Sequence, residues 1–177
     1  LADEGKLSLD DKVIDHLPWF QMSDPYVTRE MTIRDLLSHR SGLGLGAGDM
    51  LFWPATSYST KEVVQRLRHV PLATSFRSAY AYDNVLYLVA GEVIETISGQ
   101  SWEDFMSSRV LKKVGMMGST VRHSDATRGG NFATPHASVD GRVRPINPFD
   151  SDNTNPAGGI NSNAEDIAKW MNALLGR

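Results

Sequence analysis

The chain has 177 residues, of which 41% are hydrophobic and 22% charged, and this composition is ordinary for one globular domain with a core. The net charge is −3 and the basic residues are scattered, which excludes the electrostatic footprint of a nucleic-acid-binding protein. Cysteine is absent, so disulfides and cysteine nucleophiles are excluded, and no apolar run approaches the roughly 20 residues of a membrane span.

The first residues have the pattern of a helix end. Gly5 suits the left-handed position after a helix, and Leu7 suits the apolar contact that often accompanies it. No helix start precedes them, and no initiator Met is present. We therefore expect that the chain is cut out of a longer protein.

Helices are predicted from a series of caps and stops. Four of them open on a Ser, Thr or Asn with an acidic residue three places later, at Thr32, Ser59, Ser101 and Asn163. The first is predicted to stop at Gly42, the second near Val70 and the third at Gly115. The most hydrophobic helix is predicted over 86–98, with Gly99 as its stop. The last helix is expected to turn one apolar face inward, formed by Ile167, Trp170, Met171 and Leu174.

Residues 116–161 have a different character, because Gly, Pro, Asn and Ser become frequent and apolar runs are short. The pattern predicts a long loop region with one short hairpin. Its strands are expected around 133–136 and 143–146, with the turn at Asp140-Gly141.

Tyr82 and Asn84 form a candidate chemical pair before the most hydrophobic helix. A phenol beside a lysine ammonium can act as a general base, and an amide offers both a donor and an acceptor to a substrate carbonyl. Tyr-x-Asn is also common by chance. The structural alternative is a tyrosine packed at a helix start, followed by an N-cap asparagine.

Several stretches, in the same order along the chain, resemble one family. Residues 32–43 read T-I-R-D-L-L-S-H-R-S-G-L, residues 82–84 read Y-D-N, residues 110–116 read V-L-K-K-V-G-M, and residues 156–170 begin P-A-G-G-I. Together they resemble the serine β-lactamase and penicillin-binding-protein superfamily, most nearly its class C-like branch of esterases and D-aminopeptidases. The resemblance implies a mainly α chain, the helical subdomain of the β-lactamase/transpeptidase-like α/β fold. It also implies that residues 1–177 are a single domain and a fragment of a larger catalytic domain.

The resemblance assigns roles to residues of this chain. Tyr82 would transfer protons to and from the nucleophile and the leaving group, and Asn84 would orient the substrate and a catalytic lysine. Asp83, between them, adds a negative charge beside the site. Gly158 and Gly159 match a loop that flanks the active site in the family, where small residues leave room for substrate. A plain turn before a helix needs the same residues.

The family's nucleophile lies in Ser-x-x-Lys, and its third motif is Lys-Thr-Gly or His-x-Gly. Neither motif occurs in the chain. The residues three places before its six lysines are Asp3, Leu9, Tyr58, Arg109, Val110 and Asp166. We expect the first motif before Leu1 and the third after Arg177.

Other candidates favour structural roles. His39 is expected to be a structural histidine near a helix C-terminus, where a positive charge is favoured. The glycines of 42–48 follow a helix signal and not a strand, so a flexible loop is expected instead of a dinucleotide site. The aromatic residues of 49–54 either pack or line a cleft wall. No metal or cofactor is expected, because no standard site has the spacing of His123, Asp125 and His136.

Two functions remain open from the sequence. The first, implied by the resemblance, is a serine hydrolase that forms an acyl-enzyme from an amide, ester or β-lactam carbonyl of a small molecule or peptide. This chain would supply the helical half of the site and be inactive alone. The second is a non-catalytic pseudoenzyme that binds peptidoglycan-like peptides or a protein partner. One face should be unusually apolar, which predicts self-association, and the resemblance slightly favours a periplasmic or secreted location.

Overall fold

The computed structural model describes residues 1–150 and 152–176, and these are mostly helical. The α-helices are α1 (Val13–His16), α2 (Pro25–Glu30), α3 (Ile33–Ser38), α4 (Thr60–Gln65), α5 (Asn84–Ser98), α6 (Trp102–Met106), α7 (Lys112–Val114), α8 (His123–Ala126), α9 (Asn155–Gly158) and α10 (Ala164–Leu174). Short 3₁₀ segments occur at Asp49–Leu51, Arg66–His69, Thr127–Gly129 and Asp152–Thr154, and a π-helical segment, Ser107–Leu111, joins α6 to α7. The mainly α fold class is confirmed.

The predicted hairpin is present, with its first strand displaced. Strands β1 (His136–Val139) and β2 (Arg142–Pro145) pair antiparallel, and Asp140 and Gly141 both have positive φ in the turn between them. The turn was predicted correctly, but β1 begins three residues later than expected. A two-residue turn pairs its two flanking residues directly, so the turn decides where each strand lies.

The helix caps form as their sequences predict. Thr32 and Ser59 make reciprocal capping boxes, and Ser101 and Asn163 accept hydrogen bonds from backbone amides three residues on. The stop of α3 differs from the prediction. The helix ends at Ser38, because His39 adopts the left-handed conformation (φ 55°) before Gly42 is reached.

The core is built around α5. Its buried face, Val85, Leu86, Leu88, Val89 and Val93, meets α1, α3, α4, α6 and α9. Gly91 permits the contact with α9, since a Cβ there would lie 2.5 Å from Cγ of Pro156. A smaller cluster packs beside it, formed by Trp102, Leu111, Met116 and Val121.

The inward face predicted for α10 is wrong for this chain. Its four apolar residues are all exposed, Leu174 by 69%. The buried residue of the helix is Asp166, which accepts hydrogen bonds from the Gly118 amide and the Ser119 hydroxyl, both at 2.8 Å. The helix is therefore anchored by a polar contact at its start, and its apolar side forms an exposed surface.

The first turn has the geometry that its sequence predicts. The Lys6 amide donates to the Leu1 carbonyl and the Gly5 amide to the Ala2 carbonyl, with Gly5 at φ 66°. This pair of bonds is the Schellman motif of helix C-termini. Across the part of the chain that the structure describes, none of the helices combines the length and the apolar character needed to cross a membrane.

Candidate active site

Tyr82, Asp83 and Asn84 lie at the start of the central helix α5. Tyr82 is 45% exposed, Asp83 is the N-cap residue, and Asn84 is the first residue of the helix. The alternative in which Asn84 caps the helix is therefore wrong. Asp83 makes no side-chain cap bond either, so the motif is not explained by helix capping.

His39 contacts this segment through backbone hydrogen bonds and through its ring. Its Nδ1 accepts a hydrogen bond from the Asp83 amide at 3.1 Å, and its carbonyl accepts one from the Ala81 amide. Its ring packs against the rings of Tyr82 and Tyr87, with centroids 4.7 Å and 5.2 Å away. Burial lowers the pKa of His39, and a ring nitrogen that accepts a bond must be unprotonated. The structural role of His39 agrees with the contacts, but the predicted positive charge is wrong.

The glycine-rich segment 42–48 also contacts Tyr82 and the start of α5. The Gly46 amide donates to the Tyr82 carbonyl at 2.9 Å. Gly48 has φ 88°, and a Cβ there would lie 2.9 Å from Cγ1 of Val85. Glycine at this position therefore lets the chain close over the start of α5.

Asp49 follows this segment and binds the side-chain amide of Asn84. Nδ2 of Asn84 donates to Oδ1 and Oδ2 of Asp49, each at 3.2 Å. The sequence did not single out Asp49, which lies 35 positions from Asn84. No local pattern indicates this pair, since tertiary folding alone brings the two residues together.

Asp83 turns inward, contrary to the expectation that its charge lies beside the site. Its side chain is 0% exposed, and neither carboxylate oxygen has a hydrogen-bond partner. Burial, with repulsion from Asp49, raises the pKa of Asp83 to about 7. The Ala47 amide and the Ser41 hydroxyl lie close by without forming well-aligned hydrogen bonds, so they only partly oppose this rise. Its backbone is extended (φ −135°, ψ 119°), and because successive side chains alternate between faces in such a segment, Asp83 faces inward where Tyr82 faces solvent.

The segment 49–54 contains both buried and exposed apolar side chains. Phe52 is buried, so part of the segment 49–54 packs, while Met50 and Trp53 are exposed. Leu45 and Tyr80 extend the exposed surface. Packing is therefore confirmed for Phe52, whereas the cleft-wall role of the exposed residues stays a prediction.

Gly158 and Gly159 lie at the end of α9. Gly158 is exposed with open space beside it, whereas a Cβ on Gly159 would lie 2.4 Å from Oδ1 of Asn155. A larger residue at position 159 would therefore clash with Asn155, so packing alone explains this glycine. No hydrogen bond described for residues 1–150 and 152–176 joins either glycine to Tyr82 or Asn84. Their contact with substrate stays a prediction.

The residues considered as metal ligands have other neighbours. Nδ1 of His136 lies 2.8 Å from the Thr134 carbonyl, and the His123 ring contacts Phe132. Within the described part of the chain, no three His, Asp or Glu side chains are grouped as metal ligands would be.

Comparison with known proteins places this geometry in a family. The sequence model of the β-lactamase family ("Beta-lactamase") matches residues 1–177. The Unguisins hydrolase ungD of Aspergillus violaceofuscus is 31% identical over 163 residues, covering 88% of this chain and 29% of that protein. The octameric penicillin-binding protein homologue from Pyrococcus abyssi superposes with a TM-score of 0.79 at 24% identity, covering 100% of this chain and 41% of that one. A class C β-lactamase superposes with a TM-score of 0.76 at 22% identity, covering 98% and 45%.

These matches define a helical subdomain with the fold of the β-lactamase and penicillin-binding-protein-like hydrolases. The chain belongs to the β-lactamase family. It spans about a third or less of the length of the first curated relatives that it matches. The resemblance read from the sequence motifs is confirmed.

Proposed function

We propose that this chain supplies the helical half of the active site of a serine hydrolase that forms an acyl-enzyme from an amide, ester or β-lactam carbonyl. The observation that carries the proposal is the pair Tyr82 and Asn84 at the start of α5, with a solvent-exposed phenol and an amide fixed by Asp49. His39 and Gly46 hold the backbone of the same segment. Groups held in this way need little reorganisation when they react.

In the proposed reaction a serine oxygen attacks the substrate carbonyl, and its one proton passes by way of a lysine to the oxygen of Tyr82. The tetrahedral intermediate collapses, the bond to the leaving group breaks, and the phenol of Tyr82 returns a proton to the departing nitrogen or oxygen. Water then hydrolyses the acyl-enzyme. Asn84 orients the substrate. The family's Ser-x-x-Lys does not occur in these 177 residues, and we therefore propose that the chain alone is inactive.

Covalent labelling of the protein as its gene encodes it tests the proposal. Wild-type protein should form an adduct with a fluorophosphonate or a penicillin, and Tyr82→Phe should slow acylation by about 10²-fold to 10⁴-fold, the usual contribution of a general base. Tyr80→Phe is the matched control, since it removes an equivalent hydroxyl from an exposed tyrosine (68%) two residues away. It should leave the rate within about twofold.

Each outcome has a definite meaning. Equal rates for Tyr82→Phe and wild type would remove Tyr82 from the mechanism. Ester hydrolysis by the isolated 177-residue chain, abolished by Tyr82→Phe, would contradict its proposed inactivity. The absence of any adduct on wild-type protein would favour the non-catalytic alternative. A negative charge of Asp83 beside the site would favour that alternative, but the side chain of Asp83 is buried.

A further inference from the structure

Arg77 has an uncommon backbone conformation a few residues before Tyr82. Its φ is 62°, in the left-handed region that residues with a Cβ rarely adopt. Such a conformation persists only where the surrounding structure over-determines it. The contacts of Arg77 therefore show what holds this point of the chain.

The Arg77 side chain is held against α3 by a bidentate ion pair. Its Nε and Nη2 donate to Oδ1 and Oδ2 of Asp35 at 2.9 Å and 2.7 Å, and Nη2 also donates to the Glu30 carbonyl at 3.1 Å. Asp35 is 7% exposed and is fixed in turn by the Thr32 capping box. Burial would raise the pKa of Asp35, but the bonds from Arg77 and Thr32 hold that pKa below its ordinary value. The carboxylate is therefore ionised at neutral pH, and the pair has the strong, directional geometry of charge-assisted bonds.

The Arg77 main chain is joined to Arg40, the second residue after α3. Its amide donates to the Arg40 carbonyl at 2.9 Å, and its carbonyl accepts a bond from the Arg40 guanidinium. The side chain and the main chain of Arg77 thus bind near the two ends of the same short helix. This arrangement fixes the position of Arg77 relative to α3.

The end of α3 also holds the chain on either side of Tyr82. His39 accepts the Ala81 amide at its carbonyl and the Asp83 amide at Nδ1. Tyr82 lies between these two bonded residues. Arg77 therefore fixes the start of the segment that carries the phenol, and His39 fixes its end.

We propose that Arg77 is a positioning residue, which through its ion pair with Asp35 holds the segment that directs the Tyr82 phenol at the reacting atoms. The inference rests on the proposed function and adds a residue that acts on Tyr82 without touching substrate. A displacement of a reacting group by about 1 Å costs up to about 10²-fold in rate. Loss of the ion pair should therefore slow the reaction by about tenfold to 10²-fold, because Tyr82 is displaced.

A double-mutant cycle on the protein as its gene encodes it tests this route. Adduct formation with a fluorophosphonate is followed by intact mass for wild type, Arg77→Gln, Tyr82→Phe and the double variant, over hours for the slow ones. Gln has a Cβ like Arg, so the backbone cost at φ 62° is unchanged while the ion pair is lost. Arg77→Gln should slow the reaction by about tenfold to 10²-fold in the wild-type background. In the Tyr82→Phe background it should slow it by less than about twofold, since a residue that acts through the phenol has no effect once the phenol is gone.

Arg34→Gln is the matched control. Arg34 precedes Asp35 on α3 and makes an equivalent bidentate pair with Asp10, at 2.8 Å and 3.1 Å. This pair is exposed, and no hydrogen bond described for residues 1–150 and 152–176 joins it to Tyr82 or its neighbours. The variant should leave the rate within about twofold in both backgrounds.

Two milder variants keep the test decisive if Arg77→Gln does not fold. Arg77→Lys keeps the charge, but one ammonium cannot reproduce the two parallel bonds of the guanidinium. Asp35→Asn keeps an oxygen for the Thr32 cap, and an amide turned in that way presents its NH₂ group to Arg77. Each should slow adduct formation in the wild-type background and leave the rate in the Tyr82→Phe background unchanged. Urea denaturation shows that each variant is folded under the assay conditions.

The outcomes separate the inference from the proposed function. A rate for folded Arg77→Gln or Arg77→Lys equal to that of wild type would overturn the inference. Equal slowing in both backgrounds would also overturn it, because a general loss of folded protein gives that result. In either case an adduct on wild-type protein leaves the proposed function standing, whereas no adduct on wild-type protein would overturn both.

Discussion

Replacing the buried Asp83 by Asn should remove a penalty that grows with pH. Asp83 is fully buried and unpartnered, and burial raises its pKa from 3.8 to about 7. Below pH 3.8 both the folded and the unfolded chain hold the proton, and no penalty exists. As pH rises from 3.8 to 7 the unfolded chain ionises first, so the free energy of unfolding falls. Above pH 7 the full loss, about 4 kcal/mol as a ceiling, is present.

The part of this loss that develops over an experimentally convenient pH range can be measured. Between pH 5 and pH 8.5 the same two pKa values give a decrease of about 2 to 3 kcal/mol in the free energy of unfolding. Urea denaturation of wild type and Asp83→Asn at both pH values yields the difference directly. The Asn side chain keeps the shape and is neutral throughout, so the variant should gain stability relative to wild type by that amount as pH rises.

The comparison isolates Asp83 because other titrating groups are common to both proteins. Asp104→Asn serves as an exposed control whose pH dependence should follow wild type. Parallel pH curves for wild type and Asp83→Asn would refute the argument, because they would mean that the buried carboxyl ionises at no cost.

Two further predictions concern packing and a buried bond. His39→Leu should cost about 1 to 3 kcal/mol in urea denaturation, since the Asp83 amide loses its acceptor inside the protein. The wild-type protein should lose stability below about pH 6.5, because burial lowers the pKa of His39 and protonation favours the unfolded chain. His39→Leu should remove this loss, and an unchanged decline of stability at acid pH in the variant would contradict the prediction. Gly91→Ala should lower the melting temperature by the equivalent of about 1 to 3 kcal/mol, as its Cβ would meet Pro156 at 2.5 Å. Gly158→Ala, which faces open space, should cost nothing.

The sequence predicted those features that depend on neighbours a few residues apart. The caps at Thr32 and Ser59 and the Asp140-Gly141 turn each arise from hydrogen bonds or dihedral preferences within four residues, and all three are present. Gly99 ends α5 as expected, with φ 69°. Such signals are complete in a short stretch of chain, so they can be read without the fold.

The family was also readable from the sequence, because its motifs stand in a fixed order along the chain. Their order led to the correct mainly helical fold and to Tyr82 and Asn84 as the candidate pair. The sequence could not give the surroundings of the pair. Asp49 and His39 lie 35 and 44 positions from the residues that they bind, and only the packing around α5 brings them together.

Burial decided the remaining differences. From the sequence alone, Asp83 and His39 are assigned their ordinary charges. The protein interior disfavours the charged form of each, which raises the pKa of Asp83 and lowers the pKa of His39. The apolar side of α10 shows the converse. Its periodicity is that of a packed helix, and whether it is covered depends on what lies against it. Composition and local pattern thus determined the helices and the family of this protein, whereas the orientation and charge of its site depended on contacts that exist only in the folded chain.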